Sequence, residues 1–190
     1  MASPIRNSEE GDWRHRMRDP EEGASISHRE EVYIKGASQT SQIHDEGNKL
    51  IFYNPSSGLM ASPKRNSEKG ARFVITKYRQ ESDTDKVPVT LKIDGTNLYL
   101  FCSNGELILE GLENDETLDT IQGSTKRFLF FRTKRVKGVM FESVMYLEMF
   151  ICTDNINAPS PVNMSKFEDP KKIFRFTIDG ESSFVGEILL

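Results

Sequence analysis

The sequence predicts an all-β domain, a closed barrel or a sandwich, on three observations. From residue 33 onward, apolar runs of roughly five to eight residues alternate with Gly, Pro, Asn and Asp, which is the grammar of short strands and turns. Two pairs, Asp94-Gly95 and Asn104-Gly105, stand between such runs and are strong hairpin signals. Between residues 38 and 179 no long segment repeats its apolar positions at the helical period.

The elements follow in order. QTSQIHD (39–45), KLIFYN (49–54), GLMAS (58–62) and RFVITKYR (72–79) are the first four strand candidates. VPVTLKID (87–94) is the clearest, because Val87, Val89, Leu91 and Ile93 alternate with Pro88, Thr90, Lys92 and Asp94 and so share one face. The turn DGT leads into NLYLFC and the turn SNGE leads on to ELILEG, giving a three-strand meander. RFLFFRT, VMFESV, MFICT, PVNMS and IFRFTID complete a set of twelve short strands. Closing so many strands into a barrel removes the edges that would otherwise pair with other chains. The expected core is Val89, Leu91, Leu98, Leu100, Leu107, Leu109, Phe128, Phe130, Phe141 and Ile151.

The ends differ from the middle. Residues 1–32 are rich in charge and poor in aliphatics, so they cannot bury enough surface to offset the entropy of ordering. They are expected to form a disordered N-terminal tail holding the lone Trp13, with the folded domain running over 33–190. Within it, GESSFVGEILL (180–190) is a C-terminal extension whose Phe184, Val185, Ile188 and Leu189 favour docking. One phrase occurs twice, ASPIRNSEEG at 2–11 and ASPKRNSEKG at 61–70. No third copy follows at the same spacing, so it does not mark a repeat architecture, and its Ser, Pro, Asn and Gly suit solvated loops.

Composition narrows the function classes. The 190 residues suit one core, and 25 basic against 29 acidic side chains leave a net charge of 25 − 29 = −4. With a pI near 5.5 the chain lacks the footprint of a nucleic-acid or anionic-membrane binder. Its start lacks the apolar stretch of a secretory signal, and no run of about 18 apolar residues could span a bilayer, so the expectation is a chain made in the cytosol without membrane insertion. Cys102 and Cys152 lie inside apolar runs and are expected as buried free thiols.

Signals of catalysis are missing. All three histidines, His15, His28 and His44, precede the strongest strands, which removes the usual general base from the core. The serine-nucleophile, dinucleotide, phosphate-loop and zinc-helix motifs are absent, and two separated cysteines cannot supply a tetrahedral metal set. The acidic stretch EGLENDETLD (110–119) has neither calcium-ligand spacing nor a paired-carboxylate pattern and is read as solvated. The expectation is a protein that is not an enzyme and takes no cofactor or metal. Exposed loops on a rigid β scaffold are where recognition concentrates, so the basic clusters become the candidate contacts. They are Lys64 and Arg65, then Lys134, Arg135 and Lys137 in TKRVKG, then Lys171 and Lys172 in DPKK. Asn163-Met164-Ser165 is a formal glycosylation acceptor, expected bare on a cytosolic route.

Taken in order, KVPVTLKIDGTNLYLFCSNGELILEG, KRFLFFR, VMFESV and FICT resemble the interleukin-1 cytokine family. The resemblance covers about residues 38–179 and is strongest from Lys86 to Thr153. It implies a β-trefoil: twelve strands forming a six-stranded barrel closed by three hairpins. It further implies a monomer, made as a cytoplasmic precursor and secreted without a signal peptide, that binds an immunoglobulin-like receptor and recruits an accessory chain for inflammatory signalling. A processing protease would trim the tail between about residues 20 and 37; QIHD, ending at Asp45, resembles a caspase tetrapeptide, but cutting there would remove a barrel strand. The family also contains receptor antagonists on the same barrel, and that alternative stays open, as does an intracellular domain that is never released. A trefoil protease inhibitor or lectin is a further alternative, although repeated Gln-x-Trp motifs are absent.

Overall fold

The computed structural model describes residues 30–64, 69–81 and 84–181. The expected tail, apart from its last three residues, and the extension beyond Glu181 lie outside them. Among the described residues fifteen strands occur: β1 Tyr33–Asp45, β2 Lys49–Asn54, β3 Gly58–Pro63, β4 Arg72–Arg79, β5 Lys86–Ile93, β6 Leu98–Ser103, β7 Glu106–Gly111, β8 Thr120–Ile121, β9 Phe130–Arg135, β10 Gly138–Ser143, β11 Met149–Asp154, β12 Ser160–Pro161, β13 Asn163–Lys166, β14 Lys172–Ile173 and β15 Phe176–Ile178. All twelve expected strands are present. PVNMS and IFRFTID are each divided in two, and the short β8 is additional.

Six strands form a closed antiparallel ring, β1-β4-β5-β9-β10-β15 and back to β1. The closing strand is three residues long, and its Phe176 lies opposite both Asp45 of β1 and Val139 of β10. Three hairpins, β2-β3, β6-β7 and β11-β13, each leave the ring between two of its strands. This is the β-trefoil. The Asn-Gly turn joins β6 to β7 with Asn104 at φ 50°, a conformation Asn tolerates.

One apolar cluster fills the ring, with Ile75, Val89, Leu91, Phe130 and Phe141 almost wholly buried. Leu98, Leu107 and Leu109 pack only partly against it. Phe128 belongs instead to a second cluster outside the ring, with Tyr33, Tyr78, Tyr99, Phe101, Leu118, Ile121 and Leu129. That cluster explains two departures from expectation. β1 starts at Tyr33 rather than near residue 39 because Tyr33 is buried there and its backbone pairs with β8. The acidic stretch keeps Asp115 and Asp119 exposed, as a solvated stretch does, but it buries Leu118 and pairs with distant lysines. Asp115 accepts from Lys92 Nζ at 2.7 Å and from Tyr99 Oη at 3.0 Å, while Asp119 accepts from Lys35 Nζ at 2.8 Å. The hydrogen bond from Lys92 is the main reason the Asp115 carboxyl titrates below its usual range. Tyr78 donates to the Leu118 carbonyl at 2.7 Å, and burial pushes its phenol up to about 12.

The second copy of the duplicated phrase is not all loop: Ala61 to Pro63 end β3, and Ala61 is fully buried. Both cysteines are buried free thiols, and burial raises Cys152 to about 11.

A buried polar clamp joins the first hairpin to the third. Lys49 and Asp45 are each 1% exposed, with Lys49 Nζ 3.4 Å from Asp45 Oδ2. Asp45 also accepts from the Lys49 amide at 2.9 Å and from Thr153 Oγ1 at 2.6 Å. Lys49 Nζ donates to Ser160 Oγ at 3.2 Å and to the Asp154 carbonyl. A buried ion pair gains little over an apolar pair, yet removing one partner strands the other charge. Asp45→Asn is therefore expected to lower stability by about 3–5 kcal/mol, read as a shifted urea midpoint, whereas Asp45→Leu combined with Lys49→Met should recover most of it. A midpoint unchanged by Asp45→Asn would contradict this account of the clamp.

Candidate functional site

The interior of the barrel cannot hold a ligand. The void at its centre, lined by Ile43, Phe73, Leu91, Leu100, Phe141 and Phe176, measures about 20 Å³, close to one water, and is apolar. Recognition must therefore use the outside. The buried Asp45–Lys49 pair is equally unsuited to chemistry, since its polar atoms are taken up by one another, by backbone groups and by the hydroxyls of Thr153 and Ser160.

The outside is built by the loops that the ring holds in place. Arg135 pairs with Gly138, so β9 and β10 are joined through the two residues Val136 and Lys137. Lys134, Arg135 and Lys137 are all exposed, and Val136, at 103% exposure, projects wholly into solvent. Gly138 at the base of this hairpin is required. Its φ is +99°, and a Cβ there would sit 2.3 Å from the Phe176 carbonyl oxygen. The same close approach that shuts the ring thus fixes the angle at which the hairpin leaves it.

Along one flank of the hairpin runs a groove bordered by Glu46, Thr177 and Glu181. Glu46 also borders a second groove, floored by Phe174 and flanked by Lys172. Of the seven basic residues singled out in the sequence, then, three share one hairpin and Lys172 stands at a neighbouring groove. Lys172 is not a free cation: it is ion-paired with Asp154, a contact that raises its pKa. Lys171 is exposed in the turn before β14, where its amide donates to Asp169 Oδ1 at 2.9 Å. Lys64 is exposed just after β3, and Arg65 lies outside the described residues.

Sequence reasoning passed over the apolar part of this surface. Phe167 is 48% exposed, its ring packed at a tilt against Phe174 and Phe150 with centroids 5.4 and 5.8 Å away. Val136, lying between basic residues, carried no signal that it would stand clear of the core. The candidate caspase position, Asp45, is shut inside a strand, and Asn163 of the glycosylation acceptor is exposed on β13.

Comparison with known proteins agrees with this architecture. The family model described as Interleukin-1 / 18 matches residues 63–178, more than half of the chain. Interleukin-1 beta of Ovis aries is 30% identical over 119 residues, covering 62% of this chain and 44% of the relative. Interleukin-1 alpha of Macaca mulatta is 30% identical over 115 residues, 60% of this chain and 42% of the relative. The chain thus spans less than half the length of these curated relatives. Among solved structures, a Gallus interleukin-1 mutant superposes with a TM-score of 0.66 at 26% identity, covering 78% of this chain and 99% of the other. Interleukin-36alpha, at 19% identity and a TM-score of 0.58, shares the fold.

Proposed function

Because the chain belongs to the interleukin-1 family, a family of cytokines and not of enzymes, we propose that it works as a secreted ligand, binding an immunoglobulin-like receptor and recruiting an accessory chain to drive inflammatory signalling. The observation that carries this reading is the β9-β10 hairpin. A fully exposed valine ringed by three exposed cations stands on a scaffold whose base is held by the Gly138–Phe176 contact. An exposed tip surrounded by like charges suits a contact surface in which the charges steer approach and set register.

The other basic positions are ranked by how they are held. Lys64, Arg65 and Lys171 are secondary contacts in this proposal. Lys172, tied to Asp154, positions the turn before β14 and contributes less to binding. The leader is removed by a protease upstream of Tyr33, since that residue is buried in the second cluster and its strand pairs with β8. The earlier window of residues 20 to 37 therefore narrows to its N-terminal part. Release to the extracellular space proceeds without a signal peptide in this reading, and the chain acts as a monomer.

Two outcomes are expected. The triple variant Lys134→Glu, Arg135→Glu, Lys137→Glu should keep the unfolding midpoint of the parent and lose about tenfold or more in affinity for the receptor ectodomain by surface plasmon resonance. Retained affinity would remove the hairpin from the interface. In a reporter-cell assay the same protein, added alone and with a known agonist, reads activation or blockade directly. Mass spectrometry of secreted material should place the mature N-terminus before Tyr33, and a product beginning at Glu46 would contradict the processing scheme.

A further inference from the structure

Three turns or ends of the ring lie opposite the three hairpin caps: the described residues between β4 and β5, the β9-β10 hairpin and residues 179–181 after β15. Together they form the open mouth of the barrel. In that mouth lies the one buried side-chain polar atom without a hydrogen-bond partner among the described residues, Arg132 Nε. Arg132 follows Phe130 by two positions on β9, so its side chain shares the face that lines the barrel, and it is 4% exposed. A buried donor left unpaired in a native fold calls for an explanation.

The surroundings supply one. Arg132 lines a groove with Lys77, Lys134 and Arg135, opposed by Asp85 and Glu181. Four cations and two carboxylates leave 4 − 2 = +2 at this spot, on a chain whose net charge is −4. The chain fills the position with a carboxylate of its own. Glu181 Oε1 accepts from Gln39 Nε2 at 2.7 Å, and Oε2 accepts from Arg132 Nη2. This engagement is partial. A guanidinium presents Nε–H and Nη–H as a planar fork that suits both oxygens of one carboxylate, and here one oxygen has gone to Gln39. The carboxylate of Glu181 is engaged on both oxygens, but the backbone that carries it is lightly held. It is reached through Gly180 at φ +83°, around which no atom lies within 4 Å of a Cβ position, and its amide donates to Ile178 at 3.3 Å, a long hydrogen bond.

We propose that the open mouth of the barrel is a carboxylate-recognition subsite, in which Arg132 reads an acidic side chain of a protein partner and Glu181 occupies the position in the free chain. An incoming carboxylate that takes both Nε–H and Nη–H satisfies the orphaned donor, and the displaced Glu181 swings out on the Gly180 turn. The subsite adjoins the cationic hairpin through Lys134 and Arg135 and so extends the receptor reading, on which it rests for the identity of the partner but not for the chemistry of binding. Arg132 is a specificity residue here, and Glu181 sets the threshold for access.

The test uses the full chain, isotope-labelled so that the arginine Nε–H signals are resolved, with a capped hexaglutamate peptide as probe. In the parent chain the Arg132 Nε–H signal should shift saturably on addition of the peptide. In Glu181→Gln the same shift should occur at about tenfold lower peptide concentration, because the internal competitor has lost its charge. The amide spectrum of each sample reports whether the fold is intact. A folded Glu181→Gln chain whose Arg132 signal does not move, or moves at the same concentration as in the parent, overturns the proposal. So does a saturable Arg132 shift with a heparin oligosaccharide when hexaglutamate gives none, since the mouth would then serve a sulfated sugar. Receptor affinity retained in the hairpin variant would remove the receptor reading while leaving a positive peptide titration to stand.

Discussion

The ring of six strands depends on a closure made by only three residues. Phe176 lies opposite Asp45 on one side and Val139 on the other, and Ile178 lies opposite Ile43. Without these contacts β1 and β10 would each present an open edge, and the apolar cluster inside would be exposed along the seam. The closure is tight enough that Gly138 has no room for a side chain. Phe176 also packs on Phe141 with ring centroids 6.1 Å apart, so backbone closure and core packing occur at the same point. Next to the seam, Asp45 begins the buried clamp to Lys49, Thr153 and Ser160, which ties the hairpin after β1 to the one after β10.

A scaffold closed in this way leaves its chemistry to its rims. The centre is filled, and the capping hairpins are tied to the ring by pairing and by the polar clamp. The open mouth, by contrast, holds an arginine whose Nε lacks a partner, a cationic hairpin and an acidic side chain on a glycine turn. The contrast follows from topology. The capped end is crossed by many pairings, whereas the mouth is bordered by turns and by residues 179–181, whose pairing does not belong to the ring.

Much of the strand pattern, in ring and caps alike, was legible in the sequence because it is written locally. Alternation in VPVTLKID and the Asp-Gly and Asn-Gly turns place β5, β6 and β7 with no knowledge of their partners. What was not legible depends on residues far apart. The first residues of β1 look polar, and only the pocket formed with Tyr78, Leu118 and Ile121 makes Tyr33 a core residue. Lys49 reads as a surface lysine until Asp154 and Ser160, more than 100 positions later, receive its ammonium. The acidic stretch reads as unpaired until Lys35 and Lys92 are brought against its exposed Asp119 and Asp115. In the candidate surface, basic composition pointed to the hairpin, but neither the projection of Val136 nor the pairing of Arg132 with Glu181 leaves a mark on the local sequence.

Native-state hydrogen exchange of the β15 backbone amides tests the closure most directly. If the three-residue strand locks the ring, the protected amides of Phe176–Ile178 exchange only through global unfolding, with the same free energy and denaturant dependence as those of β5. Exchange of β15 through a local opening, orders of magnitude faster than that of β5 and insensitive to denaturant, would contradict it.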